Sequence, residues 1–324
     1  MVAVKQGSIG RLGEVALIRR LTKHLPRSAS VLVGVGDDAA ALRSGPSGDH
    51  VLFASDMLVE GVHFDRARVK PEAVGWKALA CNVSDIAAMG GRPRAAVVSL
   101  GLPPQTSVAF VERLYAGLRR CARRFKMSIV GGDTVRAPVV TVDVAILGTV
   151  EPTRLVRRSG AKVGDCVFVT GRLGGSLTSG RHARFLPRVQ EARRLGQRVR
   201  LHAMMDVSDG LASDLWQLAR ASFVTFRVWA EQIPVADAAR GCCRPRCRCR
   251  TWPGESAVWH AVMDGEDFEL LLAVSPQQAV RVPVSIGRVP VTKIGCVTMR
   301  GAGVEMVHGD GRVRALTPEG FQHF

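Results

Sequence analysis

The sequence predicts an α/β fold with mixed sheets, of the α+β kind, in two domains. The chain has 324 residues, which is more than one ordinary domain needs. Short apolar runs of strand type alternate with helical periodicities along its length. A polar, turn-rich stretch, EPTRLVRRSGAKVGD at 151–165, interrupts that alternation. We therefore place an N-terminal mixed-sheet domain at 1–150 and a C-terminal α/β domain at 151–324.

The elements of the first domain follow from their local patterns. Apolar residues three or four positions apart predict a helix over 11–25, and Pro71-Glu72 opens a second helix over 71–89 that a Gly pair closes. A third, amphipathic helix is predicted over 107–126. Short apolar runs bounded by Gly, Pro or Asp predict strands at 31–35, 51–55, 94–102, 128–131 and 139–149.

The second domain repeats this alternation. CVFVTG at 166–171 predicts a strand, and a basic helical stretch extends to about residue 200. MMDVSDG at 204–210 has the pattern of a strand ended by carboxylates, and a helix is predicted over 211–221. FELLLAV at 268–274 predicts a buried strand, and two short strands with a polar tail close the chain.

Composition excludes several protein classes. Apolar residues make up 47% and charged residues 23% of the chain, which is globular composition. No apolar run approaches the roughly 20 residues of a membrane span. The first residues, MVAVKQGSIGRLGE, are too polar for a secretory signal. We therefore expect a cytoplasmic protein.

The net charge of +17 favours polyanionic partners. Lys and Arg number 45 against 28 Asp and Glu, which makes nucleic acid, an acidic membrane surface and phosphorylated small molecules the candidate classes. Aromatic residues are 5% of the chain and include one tyrosine, which disfavours a base-stacking platform. A basic RNA-binding protein without catalysis stays an alternative, with nucleic acid the less favoured partner.

The eight cysteines fall into two groups. The isolated ones lie in apolar runs and indicate buried free thiols in a reducing compartment: Cys81, Cys121, Cys166 and Cys296. The others are crowded into GCCRPRCRCRTWPG: Cys242, Cys243, Cys247 and Cys249. Because their spacing matches no standard zinc pattern, we interpret this segment as a variable Arg/Cys-rich surface loop, with metal binding as the alternative.

Seven of the 16 aspartates occupy unusual positions: Asp37, Asp38, Asp56, Asp85, Asp133, Asp206 and Asp209. Six of them follow an apolar strand-like run beside Gly or Ser, whereas Asp85 lies within a predicted helix. Any one of them has an ordinary explanation in turn or cap chemistry. As a set they indicate convergent carboxylates, which repel one another unless a cation lies among them. Mg²⁺ fits, since it prefers oxygen ligands and bridges carboxylates to phosphates.

Phosphate binding also needs hydrogen-bond donors. Gly131-Gly132, and Gly171 with Gly174-Gly175-Ser176, could present backbone N–H groups to phosphate oxygens. Arg158 is a candidate phosphate clamp. The chain contains neither GxxxxGK[ST] nor GxGxxG, so the two commonest nucleotide-binding loops are excluded.

Nine segments carry a family resemblance along nearly the whole chain: GVGDDAAAL (34–42), ASDMLVEGVHF (54–64), WKALACNVSDIAAMGGRP (76–93), VGGDTVR (130–136), RRSGAKVGD (157–165), VTGRLGGS (169–176), DVSDGLASDL (206–215), DGEDFELL (264–271) and GFQHF (320–324). Together they resemble the thiamine-monophosphate kinases. These belong to the superfamily of aminoimidazole ribonucleotide synthetase and selenophosphate synthetase, and the resemblance implies that superfamily's two-domain fold.

The resemblance implies ATP-dependent phosphorylation of thiamine monophosphate to thiamine diphosphate, the last step of thiamine diphosphate biosynthesis. Several Mg²⁺ ions would assist an in-line transfer with ATP as co-substrate. The acceptor is an ionised phosphate oxygen, so no protein nucleophile and no covalent intermediate are expected. The resemblance also implies a homodimer built through the N-terminal strands, with the active site in a cleft between the two domains.

Matching positions carry over the family's site residues. The implied Mg²⁺ ligands are Asp38, Ala54 (through its carbonyl), Ser55, Asp56, Asp85, Asp133, Asp206 and Asp209. The implied ATP contacts are Tyr115, Gly132, Asp133, Arg158 and Ser208. The implied thiamine monophosphate contacts are His63, Glu266 and the C-terminal position 318.

The chain departs from the family pattern in two places. Pro318 stands where some members place an aromatic residue, and Phe321 is the candidate substitute. Asp264 replaces the first Gly of a common GGED. A sister synthetase of the aminoimidazole ribonucleotide or selenophosphate type stays an alternative. The glycine-rich segment GSIGRLGE at 7–14 lacks the reactive Cys of selenophosphate synthetases, which disfavours that branch.

Overall fold

The structure is a computed structural model that describes residues 8–44, 48–241, 249 and 256–317. Its strands form two β-sheets, and each sheet combines antiparallel pairs with one parallel pair. Helices pack against both sheets. These findings confirm the predicted α/β class with mixed sheets.

The first sheet has six strands. They are β1 (Val31–Val33), β2 (Ala40–Leu42), β3 (His50–Val59), β4 (Arg92–Leu102), β5 (Ser128–Arg136) and β6 (Thr141–Val150). Their order across the sheet is β1-β2-β3-β6-β4-β5, and β5 lies at one edge, parallel to β4. Almost every residue of β5 is exposed, so this edge offers its backbone groups for further pairing.

The second sheet has eight strands. They are β7 (Cys166–Thr170), β8 (Leu201–Asp206), β9 (Val224–Trp229), β10 (Leu270–Val274), β11 (Ser285–Ile286), β12 (Val289–Arg300), β13 (Gly303–Val307) and β14 (Val313–Ala315). Their order is β14-β13-β9-β12-β7-β10-β8, with β11 paired to β12. The interior strands β7 and β10 are buried along their whole length, which explains their uninterrupted apolar sequences.

Ten α-helices occur in the described residues. They are α1 (Ile9–Leu12), α2 (Glu14–Thr22), α3 (Pro71–Ala88), α4 (Val108–Phe125), α5 (Ser176–Ser179), α6 (Val189–Arg198), α7 (Leu211–Ser222), α8 (Asp237–Arg240), α9 (Ser256–Met263) and α10 (Pro276–Ala279). Gly13 divides the single helix predicted over 11–25 into α1 and α2.

Helix α3 is the centre of the molecule. Pro71 fixes its first turn, and 14 of its 18 residues are buried, which is far more than an amphipathic surface helix buries. It contacts β3 and β6 on one side and β8 and α6 on the other. One apolar core therefore contains both Ile146 of the first sheet and Met204 of the second.

Two glycines let α4 cross α3 at close range. A Cβ atom on Gly75 would lie 1.9 Å from the carbonyl oxygen of Leu114, and one on Gly117 would lie 2.0 Å from that of Glu72. The two helix backbones are therefore in direct contact, and any side chain at either position would force them apart. This crossing fixes α4 against the outer side of α3.

A second apolar core lies on the other face of the second sheet. It joins β7, β10 and β9 to α7 and α9, with Phe226 and Leu215 among its fully buried residues. The second sheet is thus covered on both faces, by α3 and α6 on one and by α7 and α9 on the other.

The structure differs from the predicted elements in several respects, which include the unpredicted helices α8, α9 and α10. It contains β2 and β9, which were not predicted, and four closing strands, β11 to β14, instead of two. β2 has only three residues, too short for a period-2 pattern, and β9 was obscured because VTFRVW directly continues the helix before it. β3 and β5 are also longer than predicted, so Asp56 and Asp133 lie within strands and not after them.

The predicted domain boundary falls between the two sheets in sequence. β6 ends at Val150 and β7 begins at Cys166, and the position of the boundary stays a prediction. Among the described residues no helix is both long and apolar enough to cross a membrane.

Candidate active site

Three of the predicted carboxylates converge at the centre of the molecule. Asp38 lies between β1 and β2, Asp85 lies on α3, and Asp206 is the last residue of β8. One oxygen atom from each lies within 4.8 Å of the others. Asp38 and Asp206 are buried, and both sheets contribute to the cluster. We call these three residues the acid cluster.

Burial and mutual repulsion raise the pKa values of the acid cluster and its neighbours. The pKa of Asp206 rises to about 7, first because of burial and then because of the nearby charge of Asp38. The pKa of Asp56 rises to about 6 through burial and the charge of Asp209. Burial also raises the pKa of Asp85 well above its ordinary value, with further contributions from Asp56 and Asp206. Carboxyl groups whose pKa values are raised in this way keep their protons unless a bound cation takes the place of the protons.

Arg158 provides part of the compensating charge. Its Nη2 and Nε atoms donate to Oδ1 of Asp38 at 2.5 and 3.1 Å, and Nη1 donates to the side chain of Gln217. Its backbone N–H donates to Asp37 at 3.0 Å. One guanidinium cannot neutralise four or more acids, so the site keeps an excess of negative charge.

Asp38 has one oxygen that faces no donor. Its Oδ2 atom is buried and has no hydrogen-bond partner among the described residues. A buried carboxylate oxygen without a partner is costly unless an ion occupies the position beside it. All the ligand atoms of the acid cluster are carboxylate oxygens, which is the donor set that Mg²⁺ prefers. The acid cluster therefore fits a divalent cation.

The loop after β8 adds more acids beside the acid cluster. The backbone N–H of Asp209 donates to Asp214 at 3.2 Å, and Gln217 donates to Asp209 at 3.3 Å. Asp214 is fully buried, and burial raises its pKa well above the ordinary value. Asp214 and Gln217 are not recognisable as site residues from the sequence, because their positions fit the amphipathic pattern of α7.

A second polar group lies beside the acid cluster along α3. The ammonium of Lys77 donates to both carboxylate oxygens of Glu266 at 2.6 Å and to the carbonyl of His63 at 2.9 Å. Lys77 is only 1% exposed, whereas the side chain of Glu266 is 22% exposed. Lys77 thus holds the two predicted substrate residues together. Lys77 was not among the predicted site residues, although a lysine within a largely apolar helix indicates a buried charge that needs a partner.

The loop that carries Glu266 has an unusual backbone. Glu266 and Phe268 both have positive φ angles, of 64° and 51°. Such angles cost free energy in non-glycine residues and are retained where the surrounding structure enforces them. Here the N–H of Glu266 donates to the carbonyl of Ser208 at 2.6 Å, and the ring of Phe268 stacks on Phe185 at 3.9 Å. The loop therefore fixes Glu266 next to the segment that carries Asp209.

The residues of β3 divide between the two faces of the first sheet. Ala54 and Asp56 share the face that α3 covers, because they alternate with exposed residues and lie between buried Leu52 and Leu58. Ser55 points to the other face, where its hydroxyl donates to Asp143 at 3.0 Å. Asp143, which was not predicted, also raises the pKa of Asp56.

Asp133 lies apart from the acid cluster. It pairs in register with Ser99 of β4, and Ser99 pairs with Asp143 of β6, so all three lie on the face of the sheet opposite to α3. Strands β5 and β3 are separated by β4 and β6, which places Asp133 about 14 Å from the line of β3. Its carboxylate accepts the N–H of Thr134 at 2.7 Å. Within one chain it does not share a site with Asp56.

Gly132 directly precedes Asp133 on β5, whereas Tyr115 lies on α4. Gly132 has φ of 158°, and a Cβ there would lie 1.8 Å from the carbonyl of Val98, so β5 approaches β4 too closely for any other residue. Tyr115 is half-buried on α4, where it packs against the first core. The predicted ATP contacts of both residues stay predictions.

The glycines that follow β7 already have partners. The N–H groups of Gly174 and Gly175 donate to the carboxylates of Asp267 and Asp264 at 2.7 and 3.1 Å, and the hydroxyl of Ser176 donates to Asp267 at 2.7 Å. These donors bind acids of the chain itself, so the structure does not favour them as a phosphate cradle.

Some residues with predicted roles lie outside the part of the chain that the structure describes. These are Pro318 and Phe321, together with Cys242, Cys243 and Cys247. Cys249 is buried, as are Cys81, Cys121 and Cys166, and Cys296 is half-buried. Cys81, Cys121, Cys166 and Cys296 are free thiols, as predicted for these four isolated cysteines.

The first comparison with known proteins concerns the N-terminal half. Residues 36–150 match the family described as AIR synthase related protein, N-terminal domain. This span begins just before the acids of the first loop and ends with β6. It thus covers the first sheet from β2 onward.

Curated relatives match along the full length. The chain is 37% identical over 317 residues to the thiamine-monophosphate kinase of Rhodopirellula baltica, covering 95% of this chain and 96% of the relative. It is 34% identical to the enzyme of the same name from Bacillus subtilis, covering 97% and 100%. The chain belongs to the thiamine-monophosphate kinase family.

Solved structures agree with this assignment. A structure described as AaThiL complexed with AMPPCP and TMP has a TM-score of 0.82 and 32% identity, covering 99% of this chain and 100% of that chain. The thiamine-monophosphate kinase of Stenotrophomonas maltophilia has a TM-score of 0.70 and 30% identity, covering 92% and 96%. The predicted family and its α/β fold with mixed sheets are therefore confirmed.

The raised pKa values predict an unusual pH dependence for the metal-free protein. Folding raises the pKa of Asp206 from 3.8 to about 7, so between about pH 4 and pH 7 the folded state binds more protons than the unfolded state. Its stability therefore falls as pH rises through that window. We expect the melting temperature with chelator to be about 5 °C or more lower at pH 8 than at pH 5.

Thermal unfolding with EDTA and with Mg²⁺ tests this expectation. Mg²⁺ should raise the melting temperature most at pH 8, because the carboxylates are then free to bind it. Asp310→Asn, which alters an exposed carboxylate paired with Arg312, is the control and should leave the pH profile unchanged. A chelated protein that is more stable at pH 8 than at pH 5 would contradict the pKa assignment.

The Lys77–Glu266 pair predicts a distinct stability effect. Glu266→Gln leaves the buried ammonium of Lys77 without its counter-charge, and we expect a loss of about 2 kcal/mol, which is reduced from the usual cost because Glu266 is partly exposed. The double variant Lys77→Met/Glu266→Gln removes both charges and should recover most of that loss. Urea unfolding of the three proteins measures the difference, and equal stability of Glu266→Gln and the wild type would refute the pairing.

Proposed function

We propose that the chain transfers the γ-phosphoryl group of ATP to the phosphate of thiamine monophosphate, which gives thiamine diphosphate and ADP. The observation that carries this proposal is the acid cluster, built from both sheets, in a chain that matches thiamine-monophosphate kinases over nearly its full length. The solved relative complexed with AMPPCP and TMP supports the same pair of substrates, since AMPPCP is an ATP analogue.

We propose that Asp38, Asp85 and Asp206 hold Mg²⁺, with Asp56 and Asp209 beside them. Asp38 Oδ2 and the raised pKa of Asp206 support this assignment, because both indicate acids that lack sufficient counter-charge. Ala54 can offer Mg²⁺ only its backbone carbonyl. Ser55 can also offer only its carbonyl on the face that α3 covers, because its hydroxyl donates to Asp143 on the other face. Bound Mg²⁺ would offset the charge of the phosphate oxygens during transfer.

The side chains of the chain itself align and hold the reactants. The acceptor is an ionised phosphate oxygen that forms the new P–O bond as the bond to ADP breaks, so no residue needs to act as nucleophile or base. We propose that Arg158 and Ser208 contact ATP. Arg158 is suited to this role because its contacts with Asp38 and Gln217 fix it before ATP arrives, which reduces the entropic cost of alignment.

We propose that His63 and Glu266 contact thiamine monophosphate. The thiazolium ring of thiamine carries a positive charge, which the partly exposed carboxylate of Glu266 can stabilise. Lys77 acts here as a positioning residue, since it binds both Glu266 and the carbonyl of His63 from within the protein. Roles for Pro318 and Phe321 in the same contact stay predictions.

We also propose a homodimer formed through the outer face of the first sheet. Several side chains on this face are apolar and exposed along adjacent strands, at 45% for Phe53, 54% for Met57, 39% for Val97 and 44% for Leu147. An exposed apolar patch bordered by polar side chains, here those of Ser55, Ser99 and Asp143, usually marks an interface. The exposed edge strand β5 borders the same face. A second copy of the chain fits this surface, because the family resemblance implies a homodimer built through these strands.

The homodimer gives Asp133 a place in the active site. In one chain, Asp133 lies on the outer face and about 14 Å from the line of β3, as the sheet order requires. On the outer face it lies beside the proposed interface. We propose that Asp133 and Gly132 reach the ATP and Mg²⁺ site of the partner subunit. Each active site would then combine residues from two chains.

We propose the domain division at 1–150 and 151–324 as the frame of this site. Asp38 and Asp85 come from the first domain, and Asp206, Asp209 and Glu266 come from the second. The reactants would then bind in the cleft where β8 and the 264–268 loop meet α3.

The experiment that tests the function is ADP release by the purified protein with ATP and Mg²⁺, with and without thiamine monophosphate. Chromatography identifies thiamine diphosphate as the product. ADP release that requires thiamine monophosphate supports the proposal. Mg²⁺-dependent ATP binding without turnover would refute it in favour of a sister substrate, and RNA binding that ignores Mg²⁺ would refute it in favour of a basic binding protein.

A further inference from the structure

We propose that an arginine-lined cavity between α4 and the segment after Arg181–Ala183 is a second anion site, which binds a compact oligophosphate. The cavity has a volume of about 540 Å³ and is lined by Trp76, Arg120, Arg123, Arg124 and Arg184. This volume lies within the range of small-molecule sites. The proposal is independent of the acid cluster and of the reaction proposed above.

The four arginines form a concentration of uncompensated positive charge. Within the described residues no carboxylate forms an ion pair with Arg120, Arg123, Arg124 or Arg184. Other arginines nearby do have such partners: Arg113 of the same helix pairs with Glu72 at 2.7 Å. Four arginines thus line this one cavity with no carboxylate among its lining residues, which favours an anion as their ligand.

The dipole of α4 explains the positions of only some of these arginines. Arg123 and Arg124 lie in the last turn of α4, where cations interact favourably with the helix dipole. Arg120 lies one turn earlier, three residues before Arg123 and four before Arg124. Like charges at these spacings on a helix repel one another. Arg184 approaches from a different element, and its Nη2 donates to the carbonyl of Ser179 at 2.9 Å. An anion between the two walls would relieve this repulsion.

The floor of the cavity is held in place. The indole N–H of Trp76 donates to the carbonyl of Phe185 at 2.8 Å, and Phe185 directly follows Arg184 in the chain. The guanidinium of Arg120 lies 5.2 Å from the centre of the Trp76 ring. Both walls are therefore connected through Trp76. Arg120 is held over the Trp76 ring, and Arg184 is held by its hydrogen bond to the carbonyl of Ser179.

The chemistry of the cavity favours a compact oligophosphate over RNA. Guanidinium groups bind phosphate oxygens through paired hydrogen bonds, and four of them suit an anion with several charges. Trp76 is only 8% exposed beneath Arg120, so it offers no open face on which a base could stack. The cavity is also separate from the substrate side, because Trp76 and Lys77 are consecutive on α3 and point about 100° apart.

Isothermal titration calorimetry with inorganic triphosphate and the full chain tests the proposal. EDTA is present throughout, because without metal the acid cluster repels phosphate and cannot contribute to binding. We expect a single site whose affinity falls with added salt. Arg123→Ala/Arg184→Ala removes one arginine from each wall without uncovering Trp76, and it should weaken binding at least tenfold.

A charge-matched variant serves as the control. Arg119→Ala/Arg194→Ala also removes two exposed arginines, from α4 and α6, but both lie outside the cavity lining. It should retain the affinity of the wild type within about twofold. Equal weakening by both variants would overturn the proposal, since it would indicate diffuse attraction by net charge. Absence of triphosphate binding, or single-stranded RNA binding more tightly than triphosphate at the same arginines, would overturn it as well.

Discussion

Asp206→Asn is expected to lower phosphoryl transfer by about 10³-fold or more, while the metal-free protein becomes no less stable. The acid cluster explains the loss of activity. Asp206 is 2% exposed and lies within ligand distance of Asp38 and Asp85, so an amide there removes one of the charges that would hold Mg²⁺. Weaker metal binding leaves the phosphate charges of the two substrates without compensation.

The same substitution should not harm the fold. The Ser84 hydroxyl donates to Asp206 at 2.5 Å, and the amide oxygen of Asn can accept that bond. Removal of one buried charge also relieves the cost of burial and the repulsion by Asp38, which together raise the pKa of Asp206 to about 7. We therefore expect an equal or higher melting temperature with EDTA and a smaller increase on addition of Mg²⁺.

Asp165→Asn is the matched contrast. Asp165 is equally buried, but it binds His202 at 2.9 Å and the N–H of Lys162 at 2.8 Å, outside the acid cluster. Its substitution should lower stability and leave the rate per folded molecule unchanged. The assignment of Asp206 would be wrong if Asp206→Asn retained turnover near that of the wild type, or if Asp165→Asn abolished it.

The acids of the site could be predicted because their positions conflict with ordinary patterns. Asp38 and Asp206 follow apolar runs, and Asp85 interrupts a buried helix, in a chain with net charge +17. Lys77 and Asp214 could not be identified in this way. A lysine or aspartate on a helix normally faces water. Lys77 is buried because α3 packs between the two sheets, and Asp214 is buried because α7 packs on the second sheet. Their roles depend on tertiary packing, which no local pattern records.

The lengths of the strands could be predicted less well than their positions. The error in length changed which acids were expected to lie together in the site. Asp56 and Asp133 were both expected at strand ends, where carboxylates of neighbouring strands converge. β3 and β5 in fact continue past them, so the alternation of side chains sends Asp56 towards α3 and Asp133 to the opposite face. The predicted list of acids therefore contained residues that a single chain does not bring together.

A mixture of Asp133→Asn and Asp206→Asn subunits is expected to recover activity that neither variant has alone. Each variant by itself should lose about 10²-fold or more, since every site of either homodimer lacks one proposed ligand. In a mixed dimer, one site combines the intact Asp206 of one subunit with the intact Asp133 of the other. The remaining site has both substitutions and stays inactive.

The expected recovery has a definite size. Equal amounts of the two variants, exchanged at random, give mixed dimers as half of the total, and each has one intact site of two, so activity should reach about a quarter of the wild type. Co-expression with two different affinity tags isolates the mixed dimer, which should reach about half. No recovery is expected if Asp133 acts within its own chain, because each subunit would then carry one inactivating change.

A variant that prevents association provides the last control. Leu147→Glu places a charge at the centre of the outer face of the first sheet, where Leu147 is 44% exposed in a single chain. It should yield a folded monomer by sedimentation, because burying an unpaired carboxylate in an interface is costly. If Asp133 completes the site of the partner subunit, this monomer lacks activity although all its own acids are present. A folded monomer with the turnover of the wild type would show that a single chain contains the complete site.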